Sequence, residues 1–448
     1  MLEWTSGTRN PSFSSHCRLG YDGAHNDDSE QAVILNLTLG SLALLSLALT
    51  MWQWLVARHF PLHQRVPVFS PTIPLPAVTL LKPLKGYDAA TEDCLRSWFA
   101  QQYAGPTQIL FAVTTADDPV CRVVRKLLQE FPASDAHLAV CGPLLGANAK
   151  VSKLVELERM AKHEIIIVSD ADVRVTPDFL TNIVAPLRTA PVSSPMQNGR
   201  ASVLASPDSA TDSSSFGSRG RSPSPPTGLV CCFYRLANPT TLAMQWEAIA
   251  INADFWSQVL QSRSLKPIDF ALGAVMATRR QQLQEIGGFP SLADCLADDY
   301  QLGNRIARHG YAIALSPVVV ECWSAPMGWV AVWKHQLRWA RTIRVCQPAP
   351  YFFSVLSNAT FWPLLWLIVS PAPHVAACAL GCFLVRVLSA LNLQHRLTGN
   401  PPPYARGWLV PIKDLLQAAI WLLAFMGNRI EWHGHRMRLR RDGSLVRG

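Results

Sequence analysis

The sequence predicts an α/β domain on a mostly parallel β-sheet, with apolar helices before and after it that enter a membrane. Short β-prone runs alternate with helical patterns between residues 70 and 350, and strands spaced by helices form mostly parallel sheets. Apolar stretches lie on both sides of this region, at residues 32–57 and within residues 351–426. Hydrophobic residues make up 49% of the chain and charged residues only 16%, against roughly 25% charged in soluble domains. This composition argues against a chain that is wholly soluble or wholly disordered.

The first apolar segment, residues 32–57, is predicted to be a retained transmembrane anchor. It contains no charged residue, and a helix of this length exceeds the roughly 30 Å of bilayer hydrocarbon. Trp52 and Trp54 near its end are typical of a membrane interface. The polar segment 1–31 has no basic stretch next to the apolar residues, which argues against a cleaved signal peptide.

Three further apolar segments are predicted at the C-terminal side of the α/β region. The last of them contains Lys413 and Asp414. Because a charge pair inside a membrane span costs free energy, we expect that segment to lie partly at the interface or to be re-entrant. The three segments are residues 351–369, 374–393 and 408–426.

The distribution of lysine and arginine predicts the orientation in the membrane. Only Arg9 and Arg18 precede the anchor, several basic residues follow it, and the tail 427–448 is rich in arginine. Because cytoplasmic flanks carry the excess of basic residues, we expect the α/β region and the tail to be cytosolic, so that one of the three C-terminal segments does not cross. We expect a multi-pass membrane protein, located in the Golgi or ER membrane in a eukaryote or in the inner membrane in a bacterium.

A segment rich in Ser and Pro interrupts the predicted strands and helices of the middle region. Residues 191–227 are dominated by Ser, Pro, Gly and Ala, which predicts a disordered surface insertion. Ligands of parallel sheets bind beyond the carboxyl ends of the strands, so the residues after each strand are the first candidates for a site. The predicted strands are 77–81, 108–113, 137–141 and 164–168, and the predicted helices lie near 95–99, 120–131 and 152–162.

Two acidic pairs and one basic-aromatic pair are the candidate site residues. Asp170 and Asp172 come directly after the buried strand 164–168, where two carboxylates can share a divalent cation with a diphosphate, or form an acidic turn. Asp298 and Asp299 precede a helical pattern, where the structural alternative is an N-cap. Arg338 and Trp339 could bind a diphosphate-sugar; the structural alternative is that they belong to an aromatic belt near the membrane.

Taken together, these motifs resemble the ceramide glucosyltransferase family, a group of inverting glycosyltransferases with a nucleotide-sugar-binding α/β domain of the GT-A type. The sequence is also similar to hopanoid-type lipid glycosyltransferases. The resemblance covers about residues 75–427 apart from the insertion. The motifs that carry it are LysProLeuLysGlyTyrAsp (82–88), Gly-x-Asn-x-Lys (146–150), SerAspAlaAsp (169–172), GlyGlyPhe (287–289), AspAspTyr (298–300) and ArgTrp (338–339).

The resemblance implies a role for each matching residue. Asp299 would be the general base with Asp298 beside it, and Asp170 and Asp172 would bind Mg²⁺ or Mn²⁺. His335 stands where the family has Gln or Arg, which is a departure. The residues implied in binding the donor are Asp88, Asp118 (or its neighbour Asp117), Lys150, His335, Arg338 and Trp339.

The implied reaction is the transfer of glucose from UDP-glucose to the primary hydroxyl of ceramide by inverting single displacement. Three alternatives remain open: a hopanoid N-acetylglucosaminyltransferase, a processive polysaccharide synthase and an inactive membrane scaffold. The scaffold is disfavoured because a competent residue stands at each implied catalytic position. The formal net charge of +9 does not point to nucleic acid, since arginines next to a membrane are attracted to anionic lipid.

Overall fold

Alternating strands and helices build the central part of the chain in the computed structural model, which describes residues 22–66, 74–188, 225–401, 404–432, 435–440 and 443–447. The strands are β1 (Val78–Pro83), β2 (Thr107–Val113), β3 (Asp135–Val140), β4 (Ile165–Ser169), β5 (Val173–Arg174), β6 (Thr227–Leu236), β7 (Val275–Arg279), β8 (Ala312–Cys322), β9 (Arg429–Trp432), β10 (His435–Leu439) and β11 (Leu445–Arg447). The helices are α1 (Asp22–His59), α2 (Thr91–Phe99), α3 (Val120–Glu130), α4 (Ala149–Met160), α5 (Phe179–Arg188), α6 (Leu242–Ile249), α7 (Trp256–Leu265), α8 (Arg280–Glu285), α9 (Asp298–Arg308), α10 (Trp329–Cys346), α11 (Pro348–Phe353), α12 (Phe361–Val369), α13 (Pro373–Thr398) and α14 (Leu409–Phe425).

The central sheet has eight strands in the order β3-β2-β1-β4-β7-β6-β8-β5. β1 pairs in parallel with β2 and β4, β2 with β3, and β6 with β8, whereas β7 and β5 are antiparallel to their neighbours. Six strands therefore run in one direction and two in the other. The predicted α/β fold with a mostly parallel sheet is confirmed, and so are the four strands and three helices predicted before the insertion.

Successive residues of the buried strands pack into two different cores, one on each face of the sheet. In β1, Leu80 faces a core with Trp98 of α2 and Phe179 of α5. Its neighbour Leu81 faces the opposite core with α4 and Trp256 of α7. Because side chains alternate across a strand, strands buried on both faces are apolar throughout, which is why they were visible in the sequence.

Among the described residues, two helices are long and apolar enough to cross a membrane, namely residues Glu30–His59 of α1 and the whole of α13. α11 with the 3₁₀ turn Ser354–Ser357 is bent by 54° against α12, and these two halves count as a third span if they form one broken span. The 17 residues of α14 measure about 25 Å, less than the hydrocarbon thickness. How many segments cross, and in which direction, stays a prediction.

Four charged side chains from α13, α14 and the α/β region form a buried cluster, here called the buried charge quartet: Asp254, Arg386, Lys413 and Asp414. Asp254 belongs to a π-helical turn, Ala250–Phe255, between α6 and α7. Arg386 of α13 contacts Asp254 at 2.9 Å and Asp414 at 2.8 Å, and Lys413 also bonds both aspartates. In the sequence, Lys413 and Asp414 argued against burial of α14. Arg386 and Asp254 compensate their charges, and the sequence did not reveal these partners.

The basic tail folds into a small antiparallel sheet, β9-β10-β11, which the sequence analysis did not predict. Ile430, Met437, Leu439 and Leu445 form a small core with Leu296. Two backbone hydrogen bonds, one from the Leu445 amide to the Asp294 carbonyl (2.7 Å) and one from the Leu296 amide to the Gly443 carbonyl (3.3 Å), join this sheet to the loop before α9.

Residues 191–224 of the Ser/Pro-rich insertion lie outside the described residues, and Thr227 already belongs to β6. α5, which precedes the insertion in the chain, packs against β6, which follows it. We expect replacement of residues 190–224 by a short Gly/Ser linker to leave turnover within about threefold of wild type, since the free energy of loop closure changes slowly with length. Initial rates and the thermal midpoint of both proteins test this, and a more than tenfold loss in a folded deletion protein would contradict it.

Candidate active site

Asp170 and Asp172 lie in the turn that follows β4, at the edge of the sheet where the parallel strands end. The Asp170 amide donates to the Ala274 carbonyl at 3.3 Å, and the Asp172 carbonyl accepts from the Trp323 amide at 3.0 Å. The turn is thereby fixed between the strands that flank it. Crowding by surrounding protein groups and the like charge of Asp170 raise the pKa of Asp172 to about 7, although the residue is exposed.

Lys82, at the end of β1, supports this turn from below. Its Nζ donates to the Asp170 carbonyl at 2.7 Å and to Ser169 Oγ at 3.1 Å. The ammonium also lies 4.8 Å from the Trp98 ring centroid, within cation–π range. Complete burial lowers the pKa of Lys82 to about 8. Lys82 therefore holds the turn in place through the backbone of Asp170 and not through the Asp170 carboxylate.

Lys150 joins the two acidic clusters. Its Nζ lies 2.8 Å from Asp170 Oδ1 and 3.1 Å from Asp298 Oδ2. Burial alone would lower the pKa of Lys150, but the two carboxylates outweigh it and hold the pKa above its usual value. The lysine is positioned by Asn148, whose side chain caps α4 by accepting from the amides of Lys150 and Val151.

Asp298 and Asp299 are neighbours in sequence but have different surroundings. Asp298 is buried, paired with Lys150, and receives a weak hydrogen bond from Asn148 Nδ2 at 3.5 Å. Asp299 is half-buried, and its carboxylate accepts a hydrogen bond from the Tyr300 amide at 2.8 Å. Burial and the charge of Asp298 raise the pKa of Asp299 to about 6. Of the two carboxylates, Asp298 is thus the one held in an ion pair with Lys150, whereas Asp299 forms none within the described part of the chain.

Gly273, just before β7, makes room for Asp299. A Cβ at this position would lie 2.5 Å from Asp299 Oδ2, which no side chain tolerates without a shift of the carboxylate. Its functional relevance is not evident from a single glycine before an apolar strand, and the sequence analysis missed it.

The pair Arg338-Trp339 lies on α10, with His335 one turn before it. His335 Nδ1 lies 2.6 Å from Oε1 of Glu247, which is buried in α6, and its ring centroid is 4.8 Å from that of Trp339. Burial lowers the pKa of Arg338, while Asp299 and Glu247 act in the opposite direction. The departure at His335 is thus matched by a carboxylate partner, which the sequence analysis did not identify.

Asp88 and Asp118 hold the loop after β1. Asp88 Oδ1 accepts from the Ala90 amide at 3.0 Å and from Thr91 Oγ1 at 2.7 Å at the start of α2. Both oxygens of Asp118 accept from the Gly86 amide, at 3.0 and 3.1 Å. Both residues lie beyond the carboxyl ends of neighbouring parallel strands, as expected, and any contact with a nucleotide stays a prediction.

A divalent cation fits the pair Asp170 and Asp172 only if the substrate supplies further ligands. No group of three His, Cys, Asp or Glu side chains able to hold a metal occurs among the described residues. Mg²⁺ keeps several waters and is commonly bound by one or two carboxylates together with substrate phosphates. The two carboxylates therefore suit such a shared cation, whose binding stays a prediction.

Comparison with known proteins identifies the family. The sequence matches the pattern of Glycosyl transferase family 21 over residues 38–206 and 221–445. It is 24% identical over 259 residues to ceramide glucosyltransferase 3 of Caenorhabditis elegans, which is 57% of this chain and 48% of that protein. It is 31% identical over 136 residues to the ceramide glucosyltransferase of Candida albicans, which is 28% of this chain and 25% of that protein. The chain thus spans about half the length of the first relative and a quarter of the second.

Two solved structures that match this chain, both at a TM-score below 0.5, are the following. One is the mannosyltransferase PcManGT from Pyrobaculum calidifontis in complex with GDP-Man and Mn²⁺, with 18% identity, a TM-score of 0.45, and coverage of 86% of this chain and 99% of that one. The other is S. aureus TarS 1–349 in complex with UDP-GlcNAc, with 7% identity, a TM-score of 0.36, and coverage of 83% and 99%. The family match extends over most of the chain on both sides of the insertion. The predicted resemblance is thereby confirmed, and the chain belongs to glycosyl transferase family 21.

Proposed function

We propose that this glycosyltransferase moves one glucose from UDP-glucose to the primary hydroxyl of ceramide at a membrane surface, with inversion at the anomeric carbon. One observation carries the proposal. Lys150 brings the acidic turn after β4 and the acidic start of α9 into one site, at the edge where a nucleotide-sugar would bind. The names of the relatives support ceramide as the acceptor, because several of them are ceramide glucosyltransferases.

The proton of the acceptor hydroxyl would pass to Asp299. A general base needs a pKa near the working pH and a position open to the substrate. Asp299 has a pKa of about 6, is half-buried, and forms no ion pair in the described part of the chain. As the oxygen attacks the anomeric carbon, the bond to the UDP oxygen breaks on the opposite face, so a single displacement inverts the anomer.

The leaving diphosphate would bind on the side of the site opposite Asp299. Asp170 and Asp172 would hold Mg²⁺ or Mn²⁺, which when bound neutralises negative charge on the diphosphate. Arg338 supplies a guanidinium suited to phosphate oxygens, and Trp339 a flat ring for the sugar. Lys150 pairs with Asp170 and Asp298, and Asp88 and Asp118 would position the nucleotide. His335, held by Glu247, would donate to a phosphate oxygen in place of the family's Gln or Arg.

The acceptor and the sugar are tested together. The full chain in nanodiscs is incubated with UDP-glucose or UDP-N-acetylglucosamine, against ceramide or a hopanoid, and products are identified by mass spectrometry. We expect glucosylceramide as the main product. N-acetylglucosaminyl hopanoid would establish the alternative acceptor, a ladder of sugars would establish a polymerase, and no product in any arm would favour a scaffold.

Removal of divalent cations is expected to abolish transfer. Exhaustive dialysis against EDTA should reduce the rate at least a hundredfold, because two carboxylates and a diphosphate would then face each other without a counter-charge. Mn²⁺ or Mg²⁺ should restore the rate, and calorimetry should show that UDP binding also depends on the cation. Full activity and unchanged UDP affinity after chelation would assign Asp170 and Asp172 to a metal-free role.

A further inference from the structure

A wide groove lies between α10 and the small C-terminal sheet, and the proposed reaction uses only one of its residues. Its cavity measures about 1730 Å³. One wall is α10, which presents basic side chains at successive turns; the other wall is formed by β9 and β10. The basic residues that line it are Lys334, Arg338, Arg341, Arg344, Arg429 and Arg438.

The positive charge of this groove exceeds the negative charge around it. Glu431 is the acidic residue among those lining it, and Lys334 Nζ lies 2.9 Å from its Oε2. Arg341 and Arg344 bond the Arg429 carbonyl and the Asn428 side chain, respectively, through their terminal nitrogens. The Nε atoms of both are buried and have no hydrogen-bond partner among the described residues, so only the terminal nitrogens can reach a ligand in the groove. A guanidinium carries five N–H donors, more than these two bonds use.

Two of the arginines face each other across neighbouring strands. Arg429 of β9 is directly paired with Arg438 of β10 in the antiparallel register, and both side chains are exposed and line the groove. Directly opposed residues have Cβ atoms about 4.5–5.5 Å apart, and like charges in this arrangement are destabilising. An anion between them removes the repulsion, and guanidinium groups match phosphate oxygens in geometry.

The other end of the groove is apolar and continuous with the end of α14. Phe425 and Met426, at the end of α14, line the groove and are 40% and 68% exposed. Leu422 of α14 is 52% exposed. Phe352 and Phe353 of α11 are exposed as well. A ligand that fills this groove therefore has a phosphate at one end and a hydrocarbon part at the other.

We propose that this groove binds an anionic membrane phospholipid, with its phosphate among Arg341, Arg344, Arg429 and Arg438 and its acyl chains along Phe425 and Met426. Charge complementarity selects the anionic headgroup, and the exposed apolar end of α14 selects a lipid over a soluble phosphate. The proposal does not rest on the identity of the sugar or of the acceptor.

Native mass spectrometry of the full chain in detergent tests the proposal without any donor or turnover. Dioleoyl phosphatidic acid and dioleoyl phosphatidylcholine are titrated separately. We expect phosphatidic acid to bind at least tenfold more tightly, and R429Q/R438Q to abolish this difference. R429K/R438K should retain most of it. The matched control R122Q/R125Q removes two exposed arginines of α3 that are not part of the lining of this groove, and should behave as wild type.

The remaining outcomes decide the source of the phosphate. Equal binding of both lipids, or unchanged phosphatidic acid binding in R429Q/R438Q, would overturn the proposal. Displacement of the lipid by millimolar inorganic phosphate or UDP would also overturn it, since the groove would then be a soluble-phosphate or donor site. A thermal midpoint of lipid-free R429Q/R438Q at or above wild type would support it, because the opposed charges are then gone.

Discussion

Asp299→Asn should lower turnover by roughly 10²–10⁴, the usual contribution of a general base. The amide keeps the shape of the carboxylate and its hydrogen bond from the Tyr300 amide, but it cannot accept the proton of the acceptor hydroxyl. UDP-sugar affinity should change little, because this carboxylate would face the acceptor. Initial rates and calorimetric affinity, measured on the same preparation, separate the two effects.

The pH profile gives an independent measurement of the same residue. A base must be deprotonated to act, and the pKa of Asp299 is raised to about 6. In wild type, kcat/KM should therefore fall about tenfold per pH unit below pH 6 and level off above it. This limb should vanish from the residual activity of Asp299→Asn. A wild-type rate that stays constant down to pH 4.5 would remove Asp299 from the role of base.

Asp298→Asn is the matched control. It removes the charge that pairs with Lys150 while leaving the neighbouring carboxylate in place. We expect a loss of about 1–3 kcal/mol in the free energy of unfolding, typical of a broken charged hydrogen bond, and less than a tenfold loss of turnover. If Asp298→Asn is inactive and Asp299→Asn is active, the base is the other neighbour. If both variants are active, the catalytic assignment of this cluster fails.

Arg386→Met should destabilise the folded protein by roughly 3–5 kcal/mol, the usual result of removing one partner from a buried ion pair. The variant leaves Asp254 and Asp414 with Lys413 as their one remaining cation in the buried charge quartet. The methionine side chain is apolar and comparable in length, so lost packing contributes little. Reversible unfolding of the full chain in mixed micelles gives the change in free energy.

A double-mutant cycle shows whether the effect comes from charge. Asp414→Asn alone should also destabilise, but Arg386→Met combined with Asp414→Asn leaves the neutral pair Lys413–Asp254. We expect the double variant to be more stable than the sum of the single changes predicts, by at least 1 kcal/mol. Strict additivity would show that Arg386 acts through packing, and a single-variant effect below 1 kcal/mol would show that the quartet adds little to stability.

The strands before the insertion were predictable because they are buried on both faces and read as unbroken apolar runs. Asp170 and Asp298 were each recognisable from their position after a strand and before a helix. That Lys150 connects them was not predictable, because the contact depends on how α4 and α9 pack over the sheet. The partner of His335 was hidden for the same reason, since Glu247 lies far from it in sequence.

The C-terminal sheet and the buried charge quartet were missed for a common physical reason. In both, charge concealed the structural signal. The arginines of the tail mask a short alternation of apolar residues, Ile430 and Met437 among them, which closes a small core. Lys413 and Asp414 suggested exposure at the interface, whereas they are buried because Arg386 and Asp254 compensate them.

The contact between the C-terminal sheet and the loop before α9 has a consequence for the order in which the protein matures. The backbone of Leu445 and Gly443 is bonded to Asp294 and Leu296, immediately before the acidic start of α9. During synthesis this loop leaves the ribosome long before its partner does, and α10 to α14 lie between them. The loop therefore stays unpaired until the C-terminal sheet has been made. If the apolar helices between them insert into a membrane as predicted, the loop before α9 would reach its final form only after that insertion, and competence for catalysis would then report that insertion is complete.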